Sequence, residues 1–393
     1  MMKKIAKTTV SLVLVMLLAL SCASVSFALP ADLQLKFGDD GKFTILQLAD
    51  TQDKYPANTT MIAFINEVLD EAKPDLVIFT GDNVVCDDAR AYDEILNPVV
   101  SRGIPFTMVY GNHDDESDPN RTKEDMLAIY QSYEGCLAFD ADPELTGCAT
   151  HNLTIEASGS TDTVFNLWMF DSNAYFDGEG DDHMYGCVCA DQVEWYKNTS
   201  AALEEENGKK IPSLAFQHII PQEAYEAVFW ESPANTNLGG ATKNFEDGSS
   251  IGYLPHLDNY DGYILEPGCP SLKNFGEWDA FIERGDVLGC AIGHDHVNSY
   301  VADVNGVDII QTPGCTWNSY GNDFVRGARV FVLDENNPWS YETRVITAAE
   351  LAAKDGSQIP NEEKPQSSYK FITFLQKFLA VMNKLLKAFD FPV

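Results

Sequence analysis

Residues 106–114 read FTMVYGNHD, an apolar run that ends abruptly in a glycine and three polar residues. The run has the length and composition of a buried β-strand. The same arrangement appears twice earlier, at residues 43–52 (FTILQLADTQ) and 76–83 (LVIFTGDN). The three runs are separated by two candidate helices, Thr60–Ala72 and Tyr92–Val100. This alternation of strand and helix predicts an α/β fold with a mainly parallel sheet.

Short polar clusters follow five predicted strands, of which the later two are Ser213–Gln217 and Val287–Ile292. The clusters are Asp50-Thr51-Gln52, Gly81-Asp82-Asn83, Gly111-Asn112-His113-Asp114, His218 and Gly293-His294-Asp295-His296. Because ligands of open α/β sheets bind at the carboxyl ends of the strands, we expect these clusters to converge in one crevice. Carboxylates, a carboxamide and imidazoles are typical ligands of ions such as Mn, Fe, Zn or Mg. One aspartate can bridge two ions, so the sequence predicts a site for two divalent or trivalent metals.

The chain is strongly acidic. Its 393 residues include 60 Asp and Glu against 26 Lys and Arg, which gives a formal net charge of -34. Such a surface repels phosphate backbones and excludes non-specific binding to nucleic acid. An anionic substrate would need a local positive charge, which metal ions supply. No pattern in the sequence indicates the oligomeric state.

The N-terminus has the pattern of a signal peptide over residues 1–28. Basic residues precede an apolar run at 10–20, and Ser26-Phe27-Ala28 fits a small-x-small cleavage site. Cleavage after Ala23 and a lipobox at Cys22 are alternatives. We expect an exported protein that is extracellular, periplasmic or on the cell surface. Eight cysteines then remain, an even number that permits disulfides, with Cys136 and Cys148 as one candidate pair.

The rest of the chain divides by composition into three parts. Residues 29–350 form the predicted catalytic domain, within which residues 231–275 read as an insertion and a candidate active-site lid. Residues 351–369 are polar like a linker. Residues 370–393 combine helical apolar periodicity with regularly spaced lysines. This basic amphipathic helix either docks on its own domain or contacts a membrane or cell surface peripherally.

Taken in order, the five clusters resemble the pattern D-x-H, GD-x-x, GNH-D/E, H, GH-x-H of the calcineurin-like metallophosphoesterase superfamily. The chain looks nearest to the purple-acid-phosphatase-like bacterial branch of that superfamily. The resemblance covers residues 50–296 and plausibly extends to about residue 347. It implies a four-layer α/β/β/α sandwich with a dinuclear metal site at the carboxyl ends of the strands.

The resemblance also implies a role for each matching residue. The first metal would be bound by Asp50, Asp82 and His296, and the second by Asp82, Asn112, His218 and His294. His113 would donate a proton to the leaving group or a hydrogen bond to the phosphoryl group, with Asp114 orienting its ring. Asn83 and His256 are candidate substrate contacts.

Two positions depart from the pattern. The first cluster ends in Gln52, where the pattern has histidine, so the first metal would have a harder, more oxygen-rich ligand set that favours Mn, Fe or Mg over Zn. No tyrosine follows Asp82 closely, and the tyrosinate colour of the purple enzymes is therefore not expected.

The activity implied is hydrolysis of a phosphate ester in a small phosphorylated substrate, through attack by a hydroxide bound to two metal ions. A monoesterase is favoured, and a phosphodiesterase on the same scaffold is the nearest alternative. A surface binding protein with a degenerate metal site is the alternative from another class, and Gln52 is the residue that supports it.

Overall fold

The computed structural model describes residues 34–116, 121–176, 184–233, 241–244, 250–255 and 260–360. The predicted signal peptide, the end of the linker with the C-terminal helix at 370–393, and His256 lie outside these residues. Within the described ranges, none of the helices combines the length and apolar character that crossing a bilayer requires.

The described residues form eighteen strands and seven helices. The strands are β1 (Leu35–Lys36), β2 (Lys42–Leu48), β3 (Leu76–Thr80), β4 (Phe106–Val109), β5 (His151–Glu156), β6 (Thr163–Met169), β7 (Tyr175–Phe176), β8 (Met184–Tyr185), β9 (Ser213–Phe216), β10 (Phe229–Pro233), β11 (Ala241–Asn244), β12 (Ser250–Pro255), β13 (Asp261–Tyr263), β14 (Val287–Ile292), β15 (Ser299–Val304), β16 (Val307–Gln311), β17 (Gly327–Asp334) and β18 (Tyr341–Thr347). The helices are α1 (Thr59–Ala72), α2 (Arg90–Val100), α3 (Lys123–Gln131), α4 (Ala190–Asn207), α5 (Gln222–Val228), α6 (Glu277–Arg284) and α7 (Ala348–Ala352).

One sheet has five strands in the order β18-β17-β2-β3-β4. Strands β2, β3 and β4 are parallel, as the alternation of strand and helix predicts, while β17 pairs antiparallel with β2. Helices cover one face: Phe64 of α1, Tyr92 of α2 and Tyr130 of α3 are buried in one cluster with Val77 and Met108 of the strands. Apolar residues repeat along α1 at helical spacing, and this stripe faces the sheet.

The other main sheet has eight strands in the order β1-β5-β6-β9-β14-β16-β15-β13. Helices α4, α5 and α6 cover its outer face. Tyr196 of α4 packs on Trp168 of β6 with ring centroids 5.0 Å apart, and it contacts Phe281 of α6 at 5.1 Å. These large aromatic side chains are fully buried and form a second apolar core.

The two sheets face each other. Phe216 of β9 and Phe331 of β17 meet across them with ring centroids 5.6 Å apart. Polar contacts join the sheets as well, since Gln47 of β2 accepts a hydrogen bond from Thr312 Oγ1 at 2.6 Å and donates to the Ile292 carbonyl at 3.3 Å. The layers therefore run helix, sheet, sheet, helix, which confirms the predicted four-layer α/β/β/α sandwich.

Two segments differ from the sequence-based expectations. The insertion at 231–275 has no clear periodicity in sequence, yet β10, β12 and β11 form a three-stranded antiparallel sheet there. Helix α4 is also unexpected from the sequence, because two of its four buried positions are the polar residues Gln192 and Ser200. Both side chains are buried because they form hydrogen bonds within the fold, Gln192 with Thr150 and Ser200 with Asp286.

The eight cysteines of the described residues are all free thiols, including the candidate pair Cys136 and Cys148. The backbone of Cys136 pairs with that of Phe106 in an isolated β-bridge, at the edge of the five-stranded sheet. The backbone N–H of Cys148 instead donates to Asp171, just beyond β6 in the eight-stranded sheet. Both side chains pack in the same apolar cluster, between the five-stranded sheet and its helices, as free thiols.

Candidate metal centre

The predicted polar clusters meet at the edge where the parallel strands of both sheets end. Asp50 follows β2 and Asp82 follows β3 in the five-stranded sheet, while His218 follows β9 and His296 lies beyond β14 in the eight-stranded sheet. His218 Nε2 lies 3.3 Å from Asp82 Oδ2 and 3.9 Å from Asp50 Oδ1. His296 Nε2 lies 3.4 Å from Asp50 Oδ1. Side chains separated by more than 200 residues in the chain therefore share one crevice.

Two sets of these side chains have the spacing of metal-ligand sites. In each set the ligand atoms lie within 4.8 Å of one another. We name them the first ligand group (Asp50, Asp82 and His296) and the second ligand group (Asp82, His218 and His294). Asp82 belongs to both, which is the arrangement that a carboxylate bridging two ions requires.

The imidazole tautomers leave nitrogen lone pairs directed into the crevice. His218 Nδ1 lies 2.9 Å from the Thr80 carbonyl and His296 Nδ1 lies 2.8 Å from the Tyr320 carbonyl. A carbonyl oxygen only accepts, so Nδ1 of each ring carries a proton and Nε2 of a neutral ring carries a lone pair. Backbone carbonyls behind metal-binding histidines fix the tautomer in this way.

These lone pairs face other acceptors. Nε2 of His218 lies close to the carboxylates of Asp82 and Asp50, so two acceptors are opposed unless a cation or a proton lies between them. Within the described residues, the buried acceptor atoms at this edge that have no hydrogen-bond partner include Gln52 Oε1, Asn112 Oδ1, His218 Nε2 and His294 Nε2. Unpartnered buried acceptors are costly, and coordination to a cation would satisfy all four. The donor set fits a pair of metal ions.

The pKa values follow the same electrostatics. Burial acts to raise the pKa of Asp82, but the facing His218 lowers it well below its ordinary value. Burial acts to lower the pKa of His218, but Asp82 and then Asp50 raise it to about 10. Burial and the nearby His218 lower the pKa of His294 to about 3, so that ring is neutral and able to coordinate. The carboxylates thus attract positive charge to this point of the crevice.

The backbone is strained at the same residues. Asp50, Gln52, Asp82 and His294 have φ angles of 51°, 39°, 50° and 74°, in the left-handed region that non-glycine residues rarely adopt. Such conformations persist where the surrounding structure enforces them, and they concentrate at functional sites. Gly111 allows the close approach, because a Cβ atom there would lie 2.2 Å from Asp82 Oδ1.

Asp114 has a different role from the one expected. Its carboxylate accepts hydrogen bonds from the backbone N–H groups of Gly111, Asn83 and Asp82, at 2.7, 2.8 and 2.9 Å. Burial and Asp82 raise its pKa to about 7, and these amide donors oppose that rise. Asp114 therefore ties the turn after β3 to the turn after β4, and it does not orient the ring of His113.

Glu116 occupies the place beside His113 that was expected for Asp114. His113 Nδ1 lies 2.6 Å from Glu116 Oε2, while the backbone N–H of His113 donates to Asp82 Oδ1 at 2.8 Å. The His113 side chain is 39% exposed, so it lies at the mouth of the crevice. This position, next to the shared ligand and open to solvent, suits a residue that meets a substrate.

Asn83 also differs from the expectation of a substrate contact. It is buried, and its Nδ2 donates to the Val109 carbonyl at 3.1 Å. The amide therefore points at the backbone of β4. The other candidate substrate contact, His256, lies outside the described residues.

Tyr175 stands behind a predicted metal ligand and was not predicted from the sequence. Tyr175 accepts a hydrogen bond from Asn112 Nδ2 at 2.9 Å and donates to Glu116 Oε1 at 2.8 Å. A signal was present, since Asp171-Ser172-Asn173 follows β6 in the way that the other polar clusters follow their strands. The ring of Tyr320 stacks on His296 with centroids 4.2 Å apart and planes 3° apart.

A third set with ligand spacing shares His294 with the second ligand group. It adds Cys269 and Asp295, with ligand atoms within 4.8 Å of one another. No thiol was expected near the site. Cys269 lies on the segment that follows β13, and its backbone N–H hydrogen-bonds to Asp295.

The chain is similar in sequence to a known family and to several known proteins. Residues 43–298 match the family model described as calcineurin-like phosphoesterase. The chain is 29% identical over 320 residues to a protein of Arabidopsis thaliana named probable inactive purple acid phosphatase 14, covering 73% of this chain and 74% of that protein. It is 28% identical over 322 residues to phosphatase DCR2 of Saccharomyces cerevisiae, covering 73% of this chain and 49% of that protein.

Among solved structures, a dimetal phosphatase from Danio rerio is 12% identical with a TM-score of 0.43, covering 78% of this chain and 98% of that one. The family model alone spans well over half of the 393 residues and includes every predicted metal ligand. The chain belongs to the calcineurin-like phosphoesterase family.

Proposed function

We propose that this chain is an active phosphoester hydrolase that works with two metal ions and prefers phosphate monoesters. The observation that carries the proposal is the position of Asp82, which belongs to both ligand groups while unpartnered acceptor atoms surround it. Asp50 and His296 would complete the first ion's ligands. His218, His294 and Asn112 would complete those of the second.

Metal ions at such a site lower the pKa of a coordinated water and neutralise phosphoryl oxygens. The chain's own residues supply the rest. His113 has Nδ1 against Glu116, so its Nε2 is left to donate a proton to the departing alcohol oxygen. The carboxylates of Asp50 and Asp82 are fully buried, which keeps solvent from weakening their attraction for the ions.

The metal preference follows from the donor atoms. The first ligand group has two carboxylates and one imidazole, and Gln52 would add an amide oxygen. Oxygen-rich sets favour hard ions, so we propose Mn, Fe or Mg at this position. The second ligand group has two imidazoles and tolerates Zn as well.

The alternatives differ in what they need from the site. Some relatives have names that include the word inactive, and a binding protein with a degenerate site would retain the fold without turnover. Against that alternative, both ligand groups are present in this chain. The relatives also have phosphatase names, which favours monoesters over diesters as substrates.

Export and peripheral contact with a membrane remain part of the proposal. They rest on the signal-like residues 1–28 and the basic amphipathic residues 370–393. Deleting residues 1–28 should keep the protein inside the cell. Deleting residues 370–393 should release it from a membrane or cell-surface fraction, and an unchanged distribution would remove that segment from the proposal.

The experiment compares hydrolysis of an aryl phosphate monoester with that of the matching diester, using the chain from Leu29. Mn, Fe, Zn and Mg are tested in turn, and Asp82→Ala is the blank. Asp334→Ala is the matched control, because it removes a carboxylate that pairs with Lys42 at the surface, at 2.8 Å. We expect turnover in wild type and control, absent in the blank, with the monoester faster. Absence of turnover with two bound ions would contradict the proposal and favour a binding role.

A further inference from the structure

Beyond the metal ligands, a hydrogen-bonded chain connects the residues on which the site depends. Asn112 Nδ2 donates to the Tyr175 hydroxyl at 2.9 Å, and that hydroxyl donates to Glu116 Oε1 at 2.8 Å. The other oxygen of Glu116, Oε2, lies 2.6 Å from His113 Nδ1. We name His113, Glu116, Tyr175 and Asn112 the positioning chain.

The direction of each hydrogen bond in this chain is determined by chemistry. An ionised Glu116 only accepts, so it receives the protons of both Tyr175 and His113. The Tyr175 oxygen accepts from Asn112, which fixes the amide with its nitrogen toward Tyr175 and its oxygen away from it. That oxygen, Asn112 Oδ1, is one of the buried acceptors without a partner among the described residues.

A short hairpin, formed by β7 and β8, contacts both the positioning chain and the second ligand group. Tyr175 of β7 pairs with Tyr185 of β8, and their rings stack with centroids 5.7 Å apart. The ring of Tyr185 meets His294 edge to face at 4.6 Å. One hairpin therefore contacts both Asn112 and His294, which come from different sheets.

Stability alone does not account for this arrangement. The His113 and Glu116 side chains are 39% and 43% exposed, and exposed ion pairs contribute little to folding. Tyr175 nevertheless connects this pair, through two hydrogen bonds, to the buried ligand Asn112. An arrangement of this kind acts by orientation, as partners behind metal ligands do.

We propose that Glu116 and Tyr175 are positioning residues, which orient Asn112 toward the second metal ion and His113 toward the substrate. This inference rests on the proposed function, because it assigns work to two groups of that site. The two residues should affect different quantities. Tyr175 contacts the metal ligand Asn112 and should affect metal affinity, whereas Glu116 contacts the proton donor His113 and should affect turnover.

The test uses Tyr175→Phe and Glu116→Gln in the full chain, with Mn²⁺ binding measured by calorimetry and turnover measured with an aryl phosphate monoester. Tyr175→Phe should weaken the binding of one ion by about 10–100-fold, the usual cost of losing a partner behind a ligand. Glu116→Gln should leave metal affinity and KM near the wild-type values and lower kcat by about tenfold or more, because a neutral amide replaces the charged carboxylate beside the His113 ring.

Two remote variants provide matched controls. Tyr133→Phe removes a tyrosine hydroxyl that donates to Asp93 at 2.6 Å, and Glu335→Gln changes a carboxylate that accepts two hydrogen bonds from Ser158. Neither residue contacts the site, so both variants should bind metal and turn over as the wild type does. Circular dichroism of each variant checks that the fold is retained.

A double variant separates orientation from general damage. Asn112→Ala removes the amide, so in that variant Tyr175 has no ligand side chain to hold. In that background, Tyr175→Phe should produce no further loss of metal affinity. A further loss equal to that in the wild type would overturn the role of Tyr175, as would wild-type affinity in the single variant.

The inference and the proposed function fail differently. If the wild-type chain binds two ions but hydrolyses no ester, the proposed function is wrong, while the affinity of Tyr175→Phe still decides the role of Tyr175. For Glu116, ¹⁵N NMR of the His113 ring gives a readout without turnover. We expect the proton on Nδ1 in the wild type and exchange between the two nitrogens in Glu116→Gln, and identical spectra would overturn the role of Glu116.

Discussion

The first and second ligand groups share Asp82 but differ in what holds their histidines. In the second ligand group, His218 is fully buried and its ring is fixed by the carbonyl of Thr80, at the end of a central strand. In the first ligand group, His296 is fixed by the carbonyl of Tyr320 and stacked on its ring. Tyr320 is 55% exposed and lies in the loop between β16 and β17.

The amide ligands follow the same division. Asn112 is fixed by Tyr175, which is itself stacked on Tyr185. Gln52 has a longer side chain, and its backbone carbonyl accepts a hydrogen bond from Asn318 in the same exposed loop region as Tyr320. The second ligand group is therefore held by the sheets and a hairpin, and the first depends on a loop. We expect the second ligand group to bind its ion more tightly, since less ordering is required on binding.

Removal of the shared ligand Asp82 should weaken metal binding in both ligand groups, so that the difference in affinity between them is lost. Asp82→Ala takes a carboxylate from both, so we expect the metal content to fall from two ions to one or none and turnover to be nearly lost. Mass spectrometry of metal content and the aryl phosphate assay measure both effects. A variant that keeps two ions and the wild-type rate would show that Asp82 is not shared.

His113→Ala should separate chemistry from metal binding. The ring lies at the mouth and belongs to neither ligand group, so both ions should remain bound with unchanged affinity. Turnover should fall by about 10²–10⁴-fold, the usual contribution of general acid–base catalysis. Retention of the full rate would exclude His113 as the proton donor.

Gln52→His should strengthen the weaker group. An imidazole is a better donor to transition metals than an amide oxygen, so the first ion should bind about tenfold more tightly, which corresponds to about 1.4 kcal/mol. The metal preference of the first ligand group should shift toward Zn. Competition between Zn²⁺ and Mn²⁺ for the wild type and the variant measures this, and unchanged selectivity would mean that Gln52 does not coordinate.

Tyr320→Ala should weaken only the first ligand group. The backbone carbonyl behind His296 remains, while the stacked ring is lost. We expect about a tenfold loss of affinity for one ion, at the low end of the cost for a partner behind a ligand, and no change for the other. Equal losses at both ions in a calorimetric titration would show that the two groups are not held independently.

Much of the fold and of the ligand set is visible in sequence because the signals are local. Each parallel strand is an apolar run that ends in a polar turn, and the strand edge brings those turns together without further information. The four-layer sandwich and its family follow from that pattern. Gln47 and Thr312, which join the sheets beneath the site, give no such signal because they meet only after folding.

The supporting residues were predicted less well, for physical reasons that differ from case to case. The resemblance implies that Asp114 orients His113, yet backbone amides from two turns satisfy its carboxylate. Tyr175 lies on a strand of two residues and contacts Asn112, 63 positions away, so no local pattern reports the contact. Helix α4 was missed because polar residues occupy part of its buried face.

Electron paramagnetic resonance of the Mn²⁺-loaded chain tests the central claim most directly. If Asp82 bridges two ions, the wild type should bind two Mn²⁺ per chain and give the spectrum of a spin-coupled pair, and Asp82→Ala should give at most one uncoupled ion. Two ions with uncoupled spectra in the wild type, or a single ion at saturation, would contradict the account.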